Sequence, residues 1–264
     1  MKRIICFLSL FSMTFVACNN DDAPTPNATI PVSEMNANVI LVKRITTTST
    51  DTPDLNGTIN FTYDGLKLVK LETIGVGKSI IYYTGNLITK IEGFDGTVLD
   101  QIELFTYNSV GKLIEYRDQS IIDNFEHKYM YVHNTDGSVS YSDSTGPIGN
   151  TTPIFSGVNI YTNNELSSRT FSTKTDSYVY DNKNNPFKNV TGLPTLLTLR
   201  EFADDYLVLF GKNKNIIKVT DNSDQTKGVF CSYVYNTDNF PTTAIKRINF
   251  AQMQPSTINL EYFY

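Results

Sequence analysis

Short runs in which apolar and polar residues alternate recur along most of the chain. Residues 59–63 read Ile-Asn-Phe-Thr-Tyr, meet Asp64-Gly65, and resume as a second alternating run at 66–71. A period of two is typical of a β-strand with one buried face, and Asp-Gly favours a tight turn because both residues tolerate positive φ. This segment therefore predicts a β-hairpin.

The same hairpin pattern accounts for most of the chain. Strand–turn–strand patterns cover residues 80–91, 102–116, 129–141, 207–219 and 231–248, and single strands are predicted at 178–180 and 258–264. The early copies lie about 20 to 26 residues apart, a spacing typical of stacked repeat units. Because one hairpin is only marginally stable, neighbouring copies must pair edge to edge. We predict an all-β antiparallel meander of repeated hairpins that forms a strongly curved or partly closed sheet.

Two stretches depart from the alternating pattern. Residues 193–204 carry apolar positions at helical spacing, and Pro194 is placed for a first helical turn, so one short helix is predicted there. Residues 143–156 lack regular alternation and contain Gly146-Pro147 and Pro153 as breakers. We expect a long loop in that second stretch.

The first eighteen residues follow a third pattern. Lys2 and Arg3 precede a mostly apolar stretch at 4–16, and small Ala17 stands before Cys18. This order is typical of a secretory signal, and the apolar run is short for a bilayer-spanning helix. The cysteine resembles the lipobox of bacterial lipoproteins, which implies cleavage before Cys18 and lipid attached to it. An ordinary signal peptide with a chance cysteine is the alternative.

The polar, proline-bearing residues 18–37 predict a flexible linker between the lipidated cysteine and the rest of the chain. The expected organisation is a signal peptide at 1–17, this linker, and a single β domain at 38–264. Acidic residues after Cys18 resemble the surface-export signals of Bacteroidetes lipoproteins, although a merely acidic linker explains them equally well. The expected location is the outer membrane, to which the lipid anchors the protein. The sequence leaves open which face of that membrane carries it.

Composition narrows the functional classes. The formal net charge is −5 and no basic cluster is present, which argues against nucleic acid as a partner. Cys6 leaves with the signal and Cys18 carries lipid, so Cys231 has no intramolecular disulfide partner. Sixteen tyrosines, sixteen phenylalanines and no tryptophan give a strand-forming composition.

The patterns associated with cofactors and metals are incomplete. Gly77-Lys78-Ser79 lacks the earlier glycine and the following helix of a phosphate-binding loop, so no nucleotide is expected. His127 and His133, the two histidines, lie six residues apart, and in a strand this spacing is too long for them to share a metal without a bend. We predict no metal and no cofactor.

The candidate nucleophile and the candidate acid pair are equally weak evidence for an enzyme. Cys231 lies in an apolar strand and is interpreted as a small buried hydrophobe, and the neighbouring Asp204-Asp205 are not a pair across a cleft. Asp143-Ser144-Thr145 resembles the short O-glycosylation sequence of Bacteroidetes. No catalytic residue is assigned, and we do not expect an enzyme.

A family resemblance rests on one region. Tyr178-Val179-Tyr180-Asp181 resembles YD-type repeats of bacterial surface proteins. With the Asn-rich residues that follow it, the leucine-rich segment and residues 212–218, it is similar to an uncharacterised family of Bacteroidetes lipoproteins described as porin-like. The resemblance implies a many-stranded, strongly curved or nearly closed antiparallel sheet, and it implies no activity.

Three functional hypotheses follow. The first is a non-catalytic envelope lipoprotein whose sheet binds an extracellular glycan or protein, with tyrosines as amphipathic contacts, although tyrosines that only fill the sheet are the alternative. The second is a structural or assembly lipoprotein that packs against an outer-membrane partner. The third is an integral outer-membrane β-barrel, which the aromatic C-terminal strand favours and which charges in the strand after residue 66 disfavour.

Overall fold

The computed structural model describes residues 39–172, 174–199, 211–250 and 254–264. These residues contain sixteen strands, one α-helix and a single 3-10 turn at Pro53–Leu55. The strands of the first half are β1 (Arg44–Thr48), β2 (Gly57–Asp64), β3 (Lys67–Thr73), β4 (Gly77–Thr84), β5 (Leu87–Asp95), β6 (Val98–Tyr107), β7 (Leu113–Ser120) and β8 (Phe125–His133). The second half contains β9 (Val139–Gly146), β10 (Thr152–Thr162), β11 (Glu165–Phe171), β12 (Lys174–Tyr180), helix α1 (Leu193–Leu199), β13 (Ile216–Asp221), β14 (Asp224–Tyr235), β15 (Pro241–Asn249) and β16 (Ser256–Phe263).

The strands form a closed antiparallel barrel in which each pairs with its neighbours in sequence. The barrel closes where β1 pairs with β16, from Arg44 opposite Phe263 to Thr48 opposite Asn259, while its other edge pairs with β2. The all-β antiparallel meander is therefore confirmed, but the partly closed sheet is corrected to a complete ring. The sequence pattern left β1 unassigned because Arg-Ile-Thr-Thr-Thr has a single large apolar residue, and this strand joins the two edges.

The predicted hairpins at 59–71, 80–91, 102–116, 129–141 and 231–248 are present, whereas the one predicted at 207–219 is not, because its second strand pairs with β12 and β14. A further correction falls in the middle of the chain. Strands β9 and β10 run through residues 143–156, where a long loop was expected, and leave a turn only between Gly146 and Thr152. Backbone pairing does not require apolar side chains, so the polar Ser and Asp residues of β9 enter the ladder normally. Pro153 is tolerated because the register shifts between Pro153 and Phe155, a bulge position where a missing N–H costs little.

The elements after β12 agree in part with those predicted from the sequence. Helix α1 confirms the first half of the predicted helix, whereas residues 200–204 and the predicted strand at 207–210 lie outside the described residues. Strand β13 pairs with β12 and β14. In the described part of the chain, no helix has the length and hydrophobicity needed to cross a membrane.

The lumen of the barrel is the hydrophobic core. Alternation points the apolar side chains inward, and the most deeply buried of them include Ile88, Tyr116 and Ile258. Outward positions carry ion pairs instead, such as Lys70–Glu72 at 3.0 Å and Lys90–Glu92 at 2.8 Å. A solid core of this kind stabilises the ring by removing large aromatic and aliphatic surfaces from water.

Tyrosines at β-bulges explain the repeated motif. A bulge interrupts the ladder at the inward tyrosine near the end of a strand. The tyrosine hydroxyl donates to a backbone carbonyl of the preceding strand or, for Tyr63, of the residues just before β1. The pairs are Tyr63 with Val42 O (2.7 Å), Tyr83 with Leu68 O (3.2 Å), Tyr107 with Ile88 O (2.7 Å) and Tyr180 with Leu166 O (2.8 Å). These tyrosines therefore hold neighbouring hairpins together.

One end of the barrel is filled by the long β12–β13 connection, and we call it the plugged end. Phe187 of this connection contacts the Phe61 ring at 5.4 Å, and Val190 and Leu196 are buried. At the opposite end, which we call the open end, Phe125 faces the lumen yet is 39% exposed. The two mouths of the barrel therefore differ.

Candidate functional site

Asp181 organises the plug, and it belongs to the motif that carries the family resemblance. Its carboxylate accepts hydrogen bonds from the backbone N–H groups of Lys183 (3.0 Å) and Asn215 (3.2 Å), and from the Tyr235 hydroxyl. Glu165 accepts further bonds from the Lys212 and Asn213 backbones at 2.6 and 2.8 Å. These carboxylates fix the two ends of the connection, so their role is structural.

The open end holds a row of polar side chains on adjacent strands. Gln101 of β6 donates to Asp118 of β7 at 2.6 Å, and Asp118 lies directly opposite His127 of β8. The Nδ1 atom of His127 is 3.5 Å from an Asp143 carboxylate oxygen on β9. Four consecutive strands thus bring one amide, one imidazole and two carboxylates to the same level of the lumen.

Asp143 is the most unusual member of this row. Its side chain is 1% exposed, and its Oδ1 atom accepts no hydrogen bond among the described residues. Burial raises the pKa of Asp143 above its ordinary value, because desolvation penalises the carboxylate, while the nearby His127 opposes that shift. An incompletely satisfied buried carboxylate of this kind has unused capacity to accept a hydrogen bond or to face a cation.

Aromatic rings continue the row along β8. The His127 ring contacts Phe125 edge-on at 5.2 Å and stacks on Tyr129 at 6.2 Å. The stack extends to Tyr116, whose ring centroid is 5.6 Å from that of Tyr129. The outer part of this ladder is accessible, since the His127 side chain is 40% exposed. It offers a flat apolar surface beside the carboxylates.

A cleft of about 330 Å³ adjoins the polar row and shares Gln101 with it. Its wall on β4 and β5 has three small inward residues, Gly77, Ser79 and Gly93, and Lys78, Phe94 and Asp95 also line the cleft. A Cβ atom at Gly77 would lie 2.0 Å from the Phe94 carbonyl oxygen, so only glycine fits this close approach of two strands. The volume is at the lower limit of known small-ligand sites.

This arrangement is suited to binding. In the described part of the chain, no group of three or more His, Cys, Asp and Glu side chains could hold a metal ion. The site instead combines hydrogen-bonding groups, a half-exposed aromatic ladder and a cleft with a small-residue wall.

The structure separates the sequence-predicted candidates from one another. Gly77-Lys78-Ser79 lies in β4 and forms no phosphate loop, although Gly77 and Ser79 line the cleft. His133 hydrogen-bonds the Leu113 carbonyl at 2.8 Å and serves the fold. Cys231 faces the lumen, and burial raises the pKa of its thiol.

Other candidates fall elsewhere. Cys18 and Asp204-Asp205 lie outside the described residues. Asp143, predicted in a loop, is an inward residue of β9. Sequence analysis missed the grouping of Asp118, His127 and Asp143, because only the strand register shows that they are neighbours.

No protein-family model and no curated protein matches the chain. Two solved structures share its fold, with probability 1.00. A porin-like protein from Bacteroides uniformis ATCC 8492 has a TM-score of 0.55 and 13% identity, over 84% of this chain and 97% of that one. A porin-like protein from Bacteroides vulgatus ATCC 8482 has a TM-score of 0.54 and 14% identity, over 85% and 99% of the two chains. The chain is thus a 16-strand antiparallel barrel with porin-like structural neighbours from Bacteroides.

Proposed function

We propose that this protein is an outer-membrane-anchored lipoprotein whose barrel is a non-catalytic binding module, with its ligand site at the open end. The single observation that carries the proposal is the asymmetry of the two mouths. One mouth is filled by the β12–β13 connection, whereas the other presents a cleft beside the row formed by Gln101, Asp118, His127 and Asp143. A glycan or a protein segment is the ligand class that polar groups beside an aromatic ladder fit.

An anchored role outside the bilayer is supported by the outer wall. The third ion pair there joins Lys128 to Glu115 at 3.2 Å, and a fourth joins Arg117 to Glu126 at 3.5 Å. A lipid-facing wall should carry an apolar band at these positions. The Ala17-Cys18 sequence supports attachment through lipid.

The binding proposal is tested by filling the cleft. Ser79→Leu would place a larger inward side chain on the small-residue wall of the cleft. Ser156→Leu places the same side chain on the outward face of β10. On a glycan array, we expect the first variant to lose binding and the second to retain the wild-type profile. Equal binding by both variants would locate the ligand elsewhere.

The proposed location is tested by protease shaving of intact cells that express either the native protein or a Cys18→Ala variant. Surface anchoring predicts that the native protein is membrane-bound and cleaved, and that the variant is released or unprocessed. Protection of a membrane-bound native protein would place it on the periplasmic side and favour assembly partners, for which co-purification with one membrane protein is the matching result.

An integral outer-membrane barrel is the second candidate, favoured by the closed ring with an even number of strands. Its discriminating property is a requirement for detergent.

A further inference from the structure

The turns at the open end carry a row of exposed aliphatic side chains. The β3–β4 and β7–β8 turns of this end, together with the first residues of β6 and β10, carry large aliphatic side chains that are between 37% and 66% exposed. They are Ile74, Val76, Val98, Ile121, Ile122 and Ile154, and we call them the apolar rim. Near the plugged end, the exposed aliphatic residues Val110, Val132, Val179 and Val234 are spread over strands that are not neighbours. A continuous arc of exposed aliphatic residues, such as the apolar rim, indicates an interaction surface.

The rim is wide enough for a protein surface. It follows eight neighbouring strands, and adjacent strands are about 4.8 Å apart, so it extends roughly 30 Å around the mouth. Contacts of this width are typical of protein–protein interfaces, which bury about 800 Å² on each partner. A sugar ring would occupy only the cleft and leave most of the rim in water.

The lumen wall below the rim carries more acidic than basic side chains. On strands β3 to β9, which are fully described, the inward charged side chains are Asp95, Glu103, Asp118 and Asp143, and Lys78 and Asp100 also line the cleft. Glu103 already accepts a hydrogen bond from Tyr116 at 3.0 Å. Asp143 has the unused Oδ1 described above, so a positive group is the natural complement of this wall.

We propose that the open end docks a protein partner that covers the apolar rim with apolar side chains and inserts an arginine or lysine side chain beside Asp118 and Asp143. This inference rests on the proposed binding function and names its ligand class. The inserted cation would face two carboxylates and the half-exposed ring of Phe125, an environment in which arginine commonly anchors interfaces.

The test uses two short peptides that differ at one position. Both carry aliphatic residues around a central arginine, which the second peptide replaces with citrulline, its neutral near-isostere. All strand pairings lie between residues 44 and 263, so the chain from Asn19 onward contains the whole barrel. Binding to this chain is followed by calorimetry and by NMR shifts of the open-end residues.

We expect the arginine peptide to bind about tenfold more tightly than the citrulline peptide, with shifts at the open end. Asp118→Asn should remove that difference, whereas Asp136→Asn, in a turn of the plugged end, should preserve it. Val98→Ser should weaken both peptides, and Val110→Ser should weaken neither. Circular dichroism of each variant checks that the barrel is intact.

Equal affinities for the two peptides, or shifts confined to the plugged end, would reject the inference. Glycan binding that Ser79→Leu abolishes, without peptide binding, would retain the proposed function and reject only the cationic protein partner. Absence of both ligand classes from the open end would reject both proposals.

Discussion

At the scale of single residues, the tyrosine hydroxyls that bond to backbone carbonyls connect neighbouring hairpins. The sequence shows the spacing of these tyrosines, and their inward orientation follows from the alternation. Their hydroxyl partners could not be predicted, because each acceptor is a carbonyl 14 to 21 residues earlier that only the register identifies. The interpretation of tyrosines as side chains that fill the sheet fits these positions.

Removing one such hydroxyl should be costly. Tyr107→Phe leaves the Ile88 carbonyl without its 2.7 Å partner in a half-buried position, and we expect a loss of about 1–2 kcal/mol in the free energy of unfolding. Urea unfolding measures it. Tyr82→Phe is the matched control, because the Tyr82 hydroxyl bonds Glu92 on the outer face, and its midpoint should stay unchanged.

Two partly buried tyrosines, Tyr83 and Tyr161, also predict sensitivity to alkali. Burial raises the pKa values of Tyr83 and Tyr161 from 10.0 to about 12. Because the folded pKa lies above the unfolded one, the folded state retains the proton, and this stabilisation is complete below pH 10 and lost as the pH rises towards 12. Urea midpoints across this range should fall, and Tyr83→Phe should fall less steeply. A flat profile would contradict the burial of these hydroxyls.

Protonation of Asp143 also stabilises the folded state, but over a more acidic pH range than protonation of the tyrosines. Its raised pKa means that the stabilisation present when the carboxyl is protonated is lost as the pH rises through the folded pKa. Asp143→Asn should therefore retain or increase stability at neutral pH, and its advantage should shrink in acid. Thermal unfolding at several pH values measures this effect. A strongly destabilised variant at neutral pH would instead show that the charged carboxylate is required by the fold.

At the scale of elements, the plug is the part of the barrel with the most specific polar contacts. Asn185 is fully buried, its amide donates to the Gly211 carbonyl at 2.7 Å, and its Oδ1 accepts the Phe187 N–H at 2.7 Å. Asn185→Ala leaves both partners unsatisfied, with an expected cost on the order of 2 kcal/mol.

The damage from Asn185→Ala should be local. Limited proteolysis should cleave the variant within the β12–β13 connection while circular dichroism retains the strand signal. Asn182→Ala, an exposed change in the same segment, should resist cleavage like the wild type. Loss of the whole strand signal in the first variant would show that the plug and the barrel fold as one unit.

The strands show what an alternation of apolar and polar residues can and cannot predict. The hairpins at 59–71 and 80–91 were predicted, and the turn residues Gly65 and Gly85 both adopt φ of 58°. Strand β9 was mistaken for a loop after Val139 and Tyr141, because its inward residue at 143 is an aspartate rather than an apolar side chain. The error coincides with the candidate site, where a charged residue takes an inward position that an apolar one normally fills.

At the scale of the whole molecule, the repeated hairpins predicted the meander, but closure depended on a single strand. β1 has only five residues, and Ile45 is its only large apolar side chain. Its pairing with β16 joins segments about 215 residues apart, a contact that no local pattern encodes. The ring therefore follows from long-range pairing rather than from any additional sequence signal.

The direction of the alternation gives the final prediction, which separates an anchored barrel from a membrane-spanning one. Inward positions hold the aromatic core, and outward positions carry the four ion pairs described above. Placing such charges in lipid costs about 2–4 kcal/mol for each lysine or arginine at the bilayer midplane.

The chain from Asn19 onward, which lacks the signal and Cys18, should therefore be monodisperse and rich in strand signal in buffer without detergent. If the outer wall of the native protein faces water, added detergent should leave its spectrum and unfolding midpoint unchanged. Aggregation without detergent, reversed when micelles are added, would instead favour the integral barrel and move the search for function from the open end to transport.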